Sequence, residues 1–164
     1  MLSDEEVAQT IARLGWQALS ITDCPTPFVY TCGLMTTFKH PELIIFNPDT
    51  DAGYTILSTM FEAIRKGQSF SQAGSYDGIL AKSRVAVRVV HPTQHELYLG
   101  YAMGHCTYMG RIGELVAMQV FWPDATGHFP FERECDDEVY RAQPRLDLQV
   151  PPSELKEFRA KWGS

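Results

Sequence analysis

Residues 117–132 read AMQVFWPDATGHFPFE, an apolar run that stops at a Trp-Pro-Asp turn. Over 115–122 the side chains alternate, Met118, Val120 and Trp122 on one face and Ala117, Gln119 and Phe121 on the other, which is the period of an extended strand. Pro123 withholds a backbone donor, and the residues from Asp124 to Gly127 supply turn chemistry, so the strand ends there. Strand ends feeding loops are where a rigid scaffold presents reactive side chains.

The rest of the chain supplies partners for this strand. Ser3 with Glu6 forms a capping box, and Val7, Ile11 and Leu14 recur at helical spacing up to Gly15. An extended pattern from Trp16 to Asp23 is interrupted by Cys24-Pro-Thr-Pro27, and further strands are predicted over 28–34 and 42–46, the latter closed by Asn47-Pro48-Asp49. Ile56, Leu57, Met60, Phe61 and Ile64 make the stripe of a core-facing helix that ends near Gly67. Residues 68–78 read as a loop or irregular edge, 84–90 as a strand, and Thr93 to Gly110 as one helix.

Beyond the quoted stretch, prolines at 123, 130, 144 and 151 and the acidic run Glu132, Glu134, Asp136, Asp137, Glu138 predict an extended segment wrapped over the surface, followed by a helix over 153–162. The order of elements predicts an α+β fold with a mixed or antiparallel sheet of about five strands and flanking helices; a half-open β-barrel with helices is the alternative. With 164 residues the chain is expected to form a single domain, 1–164, with a core over about 10–145 and a C-terminal wrap and short helix over 146–164.

Twenty acidic against fourteen basic residues leave a net charge of −6, which repels phosphates and anionic membrane surfaces, so neither nucleic acid nor membrane is an expected partner. No apolar run approaches the roughly 18 residues of a spanning helix, and no signal peptide pattern opens the sequence; a cytoplasmic location is expected. Cys24, Cys32, Cys106 and Cys135 are read as reduced thiols, since a chain of this length has core enough without disulfides.

Taken together, Gly15-Trp16, Tyr30-Thr-Cys-Gly-Leu34, His40-Pro-Glu-Leu43, and Gln119-Val-Phe-Trp-Pro-Asp124 with Gly127 and Phe129-Pro-Phe131 resemble the uncharacterised bacterial proteins of domain-of-unknown-function family 4262. The ordered succession of motifs carries the resemblance, over residues 10 to 145. Cys32 stands where Val is expected and Phe131 where Trp is expected; both keep an apolar filler. The resemblance implies no activity and no catalytic residues.

Several residues carry candidate chemistry. Tyr30 and Cys32 share a strand face with Phe28 and Leu34, and Cys32 reads as a buried, inert thiol. Gln119 either lines a pocket or sits on a half-exposed face. Asp124 is either a base or hydroxyl ligand, or a turn cap bonding backbone N–H groups ahead of Gly127. His40 and Glu42 bracket Pro41 at a strand start, and His128 ends the turn after Asp124; if the sheet brings these loops to one edge, imidazole and carboxylate meet in acid–base geometry. Arg84 and Arg88, on one strand face, are phosphate-binding candidates, although plain surface solvation explains them as well. No Walker loop, Gly-x-Gly-x-x-Gly or Gly-x-Ser-x-Gly occurs. No metal site is expected: His91 and His95 are split by Pro92, and neither His-Glu-x-x-His nor Cys-x-x-Cys is present.

The sequence supports two functional readings. The first is a small-molecule site in a strand-end pocket formed by the YTCGL, HPEL and QVFWPD segments, with Tyr30, His40, Glu42, Gln119, Trp122, Asp124 and His128 as ligand-binding candidates; no cofactor is specified, and whether a reaction occurs stays open. The alternative is a protein-binding immunity or counter-defence module whose acidic surface, Glu132 to Glu138, meets a basic partner.

Overall fold

Ser3 and Glu6 open the chain as their spacing predicts. Ser3 Oγ accepts the Glu6 N–H at 3.1 Å and the Glu6 carboxylate accepts the Ser3 N–H at 2.8 Å, fixing the start of α1 (Asp4–Leu14). Gly15 ends it at φ 88°, which a residue with a side chain adopts only at a cost. The computed structural model describes residues 1–162.

The sheet has six strands in the order β1-β2-β3-β6-β5-β4. β1 (Gln17–Ile21) and β2 (Phe28–Cys32) form an antiparallel pair across the two-proline link, and β3 (Glu42–Phe46) adds antiparallel to β2. β4 (Gly74–Tyr76), β5 (Val85–Val89) and β6 (Ala117–Phe121) are joined antiparallel, while β3 and β6 run parallel. The sheet is therefore mixed and open, with β1 and β4 as its edges; the barrel alternative does not form. The architecture is α+β.

Both faces of the sheet are covered. On one, α3 (Thr50–Arg65) sets Ile56, Leu57, Met60 and Ile64 against Val29, Leu43, Ile45, Val87, Met118 and Val120. Trp16 joins this layer by stacking on Phe61, ring centroids 4.4 Å apart. On the other face, α1 and α5 (Gly100–Tyr108) pack Val7, Ile11 and Ala102 against Phe28, Tyr30, Ile44 and Phe46. Every residue of β2, β3 and β6 is buried, so these strands send mostly apolar side chains to both faces, with Thr31, Glu42 and Gln119 as buried polar exceptions.

Four elements depart from the sequence expectation. Strand β2 stops at Cys32, because Gly33 at φ 104° turns the chain into a five-residue helix, α2 (Leu34–Phe38). The 68–78 segment, read as irregular, supplies the short edge strand β4. The helix expected over Thr93 to Gly110 is divided into a 3₁₀ turn (Pro92–Gln94), α4 (His95–Tyr98) and α5, with a break at Leu99 (φ −114°, ψ 40°) that seats its fully buried side chain in the core. The acidic wrap contains α6 (Asp137–Ala142), capped by Asp136 accepting the Glu138 N–H. The C-terminal helix, α7 (Pro152–Trp162), lies where the sequence places it.

Candidate functional site

The loops leaving β2 and entering β3 meet around Glu42. Its carboxylate accepts the Thr31 hydroxyl at 2.8 Å and the N–H groups of Gly33, Leu34 and Met35 at 3.0, 3.1 and 3.2 Å. The three N–H groups are the orphan donors at the start of α2, so a side chain eight residues past Leu34 caps that helix. Burial pushes the carboxyl up to about 7, and the four donors pull against it. His40 is bound into the same end of the sheet: Nδ1 donates to Pro41 O at 2.7 Å, and Nε2 accepts the Phe70 N–H at 2.8 Å. Those partners require a neutral ring protonated on Nδ1, and burial lowers its pKa accordingly. Both side chains are engaged with backbone.

β3 and β6 run parallel with Glu42 opposite Ala117, so the residues before β3 and those after β6 lie a strand length apart, roughly 15 Å. His40 and Glu42 stand at one end of the sheet; Trp122, Asp124 and His128 stand at the other. The three segments do not border one hollow. At the far end, Trp122 Nε1 donates to Phe46 O at 2.7 Å. Asp124 Oδ1 accepts the Thr126 N–H and hydroxyl and the His128 N–H at 2.8 to 2.9 Å, and Oδ2 accepts the Asp136 N–H at 2.8 Å. These bonds, led by that from His128, hold the Asp124 carboxyl well below the usual carboxylate range. His128 Nδ1 lies 4.0 Å from Asp124 Oδ1 and contacts the Thr126 hydroxyl oxygen at 2.8 Å. The geometry is that of a turn cap spanning residues 124–136.

Gln119 neither faces solvent nor opens into a hollow. Its side-chain N–H donates to Pro144 O at 2.6 Å and its oxygen accepts the Leu146 N–H at 2.8 Å, so the amide pairs with the wrap as a neighbouring strand would. Gln143 returns the arrangement, accepting the Trp122 N–H and donating to Trp122 O. Of the arginines, Arg88 donates to Asp147 at 3.1 Å and lies 3.8 Å from the Phe131 ring centroid, at a hollow of about 450 Å³ beside Phe129 and Glu132. Arg84 stands apart, 3.4 Å from Asp77 on the exposed surface. In the acidic run, Asp137 pairs with Arg141, while Glu134 and Glu138 face solvent. The four cysteines are unpaired, and burial pushes the Cys32 thiol up. No helix is long and apolar enough to cross a membrane, and no three His, Cys, Asp or Glu side chains are grouped so as to hold a metal ion, among the described residues.

A larger hollow, about 690 Å³, opens on the α1 and α5 side of the sheet. Tyr30 and Phe28 form its floor, Tyr98 and Tyr101 one wall and Trp162 of α7 another, with Asp4 and Glu96 among its polar lining. The Tyr30 phenol oxygen accepts the Tyr101 N–H at 3.0 Å, and the Tyr101 hydroxyl accepts the Leu2 N–H at 3.3 Å, so floor, wall and N-terminus are tied together. Tyr98 stands edge-on to both Phe28 and Phe46, at 5.4 and 5.5 Å. Arg159 of α7 clamps Glu96 at the rim, its shortest contact 2.6 Å. Of the ligand-binding candidates read from the sequence, Tyr30 alone lines this cleft. Tyr98 and Tyr101, three apart in a helical stretch, were the legible signal; their convergence with residues 28, 30 and 162 was not.

Fold and site together define an open-sheet α+β domain whose buried titratable side chains brace backbone and whose aromatic cleft faces solvent. The chain belongs to the family described as Domain of unknown function (DUF4262), whose model matches residues 10–136. No curated protein and no solved structure matches it.

Proposed function

We propose that this domain binds a small organic molecule in the cleft floored by Tyr30. The observation that carries the reading is a hollow of about 690 Å³ walled by Phe28, Tyr30, Tyr98, Tyr101 and Trp162, a size and lining suited to a ligand of drug-like dimensions. The hydrogen bonds from the Tyr101 and Leu2 N–H groups tie Tyr30, Tyr101 and the N-terminal segment together before any ligand arrives, which lowers the ordering cost of binding on that side of the cleft. The net charge of −6 favours a ligand other than nucleic acid.

The test uses Gly100, which lines the cleft, has no atom beyond its chain neighbours and its own helix backbone within 4 Å of the position a Cβ would take, and adopts no left-handed conformation. Gly100→Leu sets an isobutyl group at the mouth of the hollow and is expected to obstruct it. Thermal denaturation against a panel of small aromatic and apolar compounds is expected to find ligands that raise the Tm of the wild type in a concentration-dependent manner and leave the plugged variant unmoved. A panel without a stabilising compound, or equal shifts in both proteins, overturns the reading.

A further inference from the structure

We propose that the ligand of this cleft is an organic cation, an alkylated ammonium carried on an apolar body; the proposal rests on the reading of the cleft as a ligand site. Its lining holds five aromatic side chains and two carboxylates, Asp4 and Glu96, and no Lys, Arg or His. Aromatic faces attract cations through their quadrupole, and an alkylated ammonium needs no set of hydrogen-bond acceptors to replace its water. Lys161 Nζ lies 5.2 Å from the centroid of the Trp162 ring, and Arg159 is held on Glu96 at the rim. Asp4 forms no ion pair among the described residues, so its charge is available to an incoming cation.

Two helix N-termini near the cleft weigh on the other side, since their dipoles favour anions. Both are offset. The first turn of α1 carries Asp4, Glu5 and Glu6, three full charges against about half a positive charge of dipole. At α5 the Tyr101 N–H is already given to Tyr30, and the Met103 N–H is given to Leu99 O. Met1, also at the cleft, is fully exposed, so water and salt screen its α-amino charge. Arg159 neutralises Glu96, which leaves Asp4 as the lining carboxylate without an ion pair among the described residues, set beside the aromatic walls.

The experiment compares three probes of one size and different charge: phenyltrimethylammonium, its neutral isostere tert-butylbenzene, and benzoate, each titrated into the full chain and into Gly100→Leu and Asp4→Asn variants. The expected result is that the cation binds roughly tenfold more tightly than the hydrocarbon and benzoate more weakly than either. Asp4→Asn is expected to shrink the advantage of the cation while leaving the hydrocarbon affinity unchanged, and Gly100→Leu to abolish binding of both. Hydrocarbon affinity equal to or above that of the cation overturns the charge preference and leaves the cleft as a ligand site. Absence of binding by all three probes, or binding that survives Gly100→Leu, overturns the cleft reading and the cation with it.

Discussion

The phenol oxygen of Tyr30 accepts the backbone N–H of Tyr101 at 3.0 Å, joining the central sheet to the first turn of α5. The N–H of Tyr101 has no intrahelical acceptor at that position, so the phenol satisfies a donor the helix leaves open. Tyr30→Phe keeps the ring and removes the acceptor. It is expected to cost about 1 to 2 kcal/mol in urea unfolding and to raise amide exchange at the start of α5, with no loss of secondary structure by circular dichroism.

Glu42 makes stability depend on pH in an unusual direction. Its folded-state pKa is raised by burial to about 7, above the roughly 4.3 of an exposed glutamate. The folded state then holds a proton that the unfolded chain releases earlier. The contribution is fully present below about pH 4 and is lost as pH rises to about 7, on the order of 3 kcal/mol across that window. Urea midpoints measured from pH 4 to 8 are expected to fall with this profile, and Glu42→Gln to flatten it. The variant should also be the less stable protein at pH 5, because its amide turns two donor hydrogens into a site lined by the N–H groups of α2, where the protonated carboxyl turns one.

Asp124 acts with the opposite sign. Its folded-state pKa lies below that of an exposed aspartate, so its contribution is complete above about pH 4 and fades as pH falls further. Asp124→Asn is expected to lower the Tm at pH 7, to loosen amide protection over residues 124–136, and to approach the wild type as both are acidified. A constant gap between the two proteins from pH 7 down to pH 2 would remove the carboxylate from this role.

Gln119 holds the C-terminal wrap against the sheet by two hydrogen bonds to backbone, one to the half-buried Pro144 O and one from the buried Leu146 N–H. Gln119→Ala leaves Pro144 O and the Leu146 N–H without partners, at a cost on the order of 3 kcal/mol. Limited proteolysis is expected to cut first between residues 143 and 150 in the variant, and not there in the wild type.

Gly33 is held by a close approach as well as by its φ of 104°. A Cβ at this position would stand 2.7 Å from Ile11 Cγ2 and 2.8 Å from Ile11 Cγ1, and Ile11 is itself buried against the sheet. Gly33→Ala is expected to destabilise by roughly 2 to 4 kcal/mol, and the double variant with Ile11→Ala to recover part of that loss; chemical denaturation of the four proteins measures the coupling.

What was legible in the sequence was whatever local chemistry decides. The capping box at Ser3, the Gly15 stop, the stripe of α3 and the alternation of the strands are each set by neighbours within one or two turns, so the α+β class and most element positions could be read directly. The turn at Asp124 belongs to the same category, since three of its four acceptor bonds go to residues within four positions. Whatever depends on distant partners could not be read. Helix α2 exists because Glu42 caps it from β3, β4 forms because β5 presents an open edge, and Leu99 breaks a helix to enter the core. The parallel pairing of β3 with β6 is decided by packing of the whole chain and sends His40 and Asp124 to opposite ends, while the packing of α1, α4, α5 and α7 over β2 gathers residues 4, 28, 30, 96, 98, 101 and 162 around one cleft instead. Periodicity assigns a side chain to a face of its own element; only long-range strand order decides which faces and which ends come together.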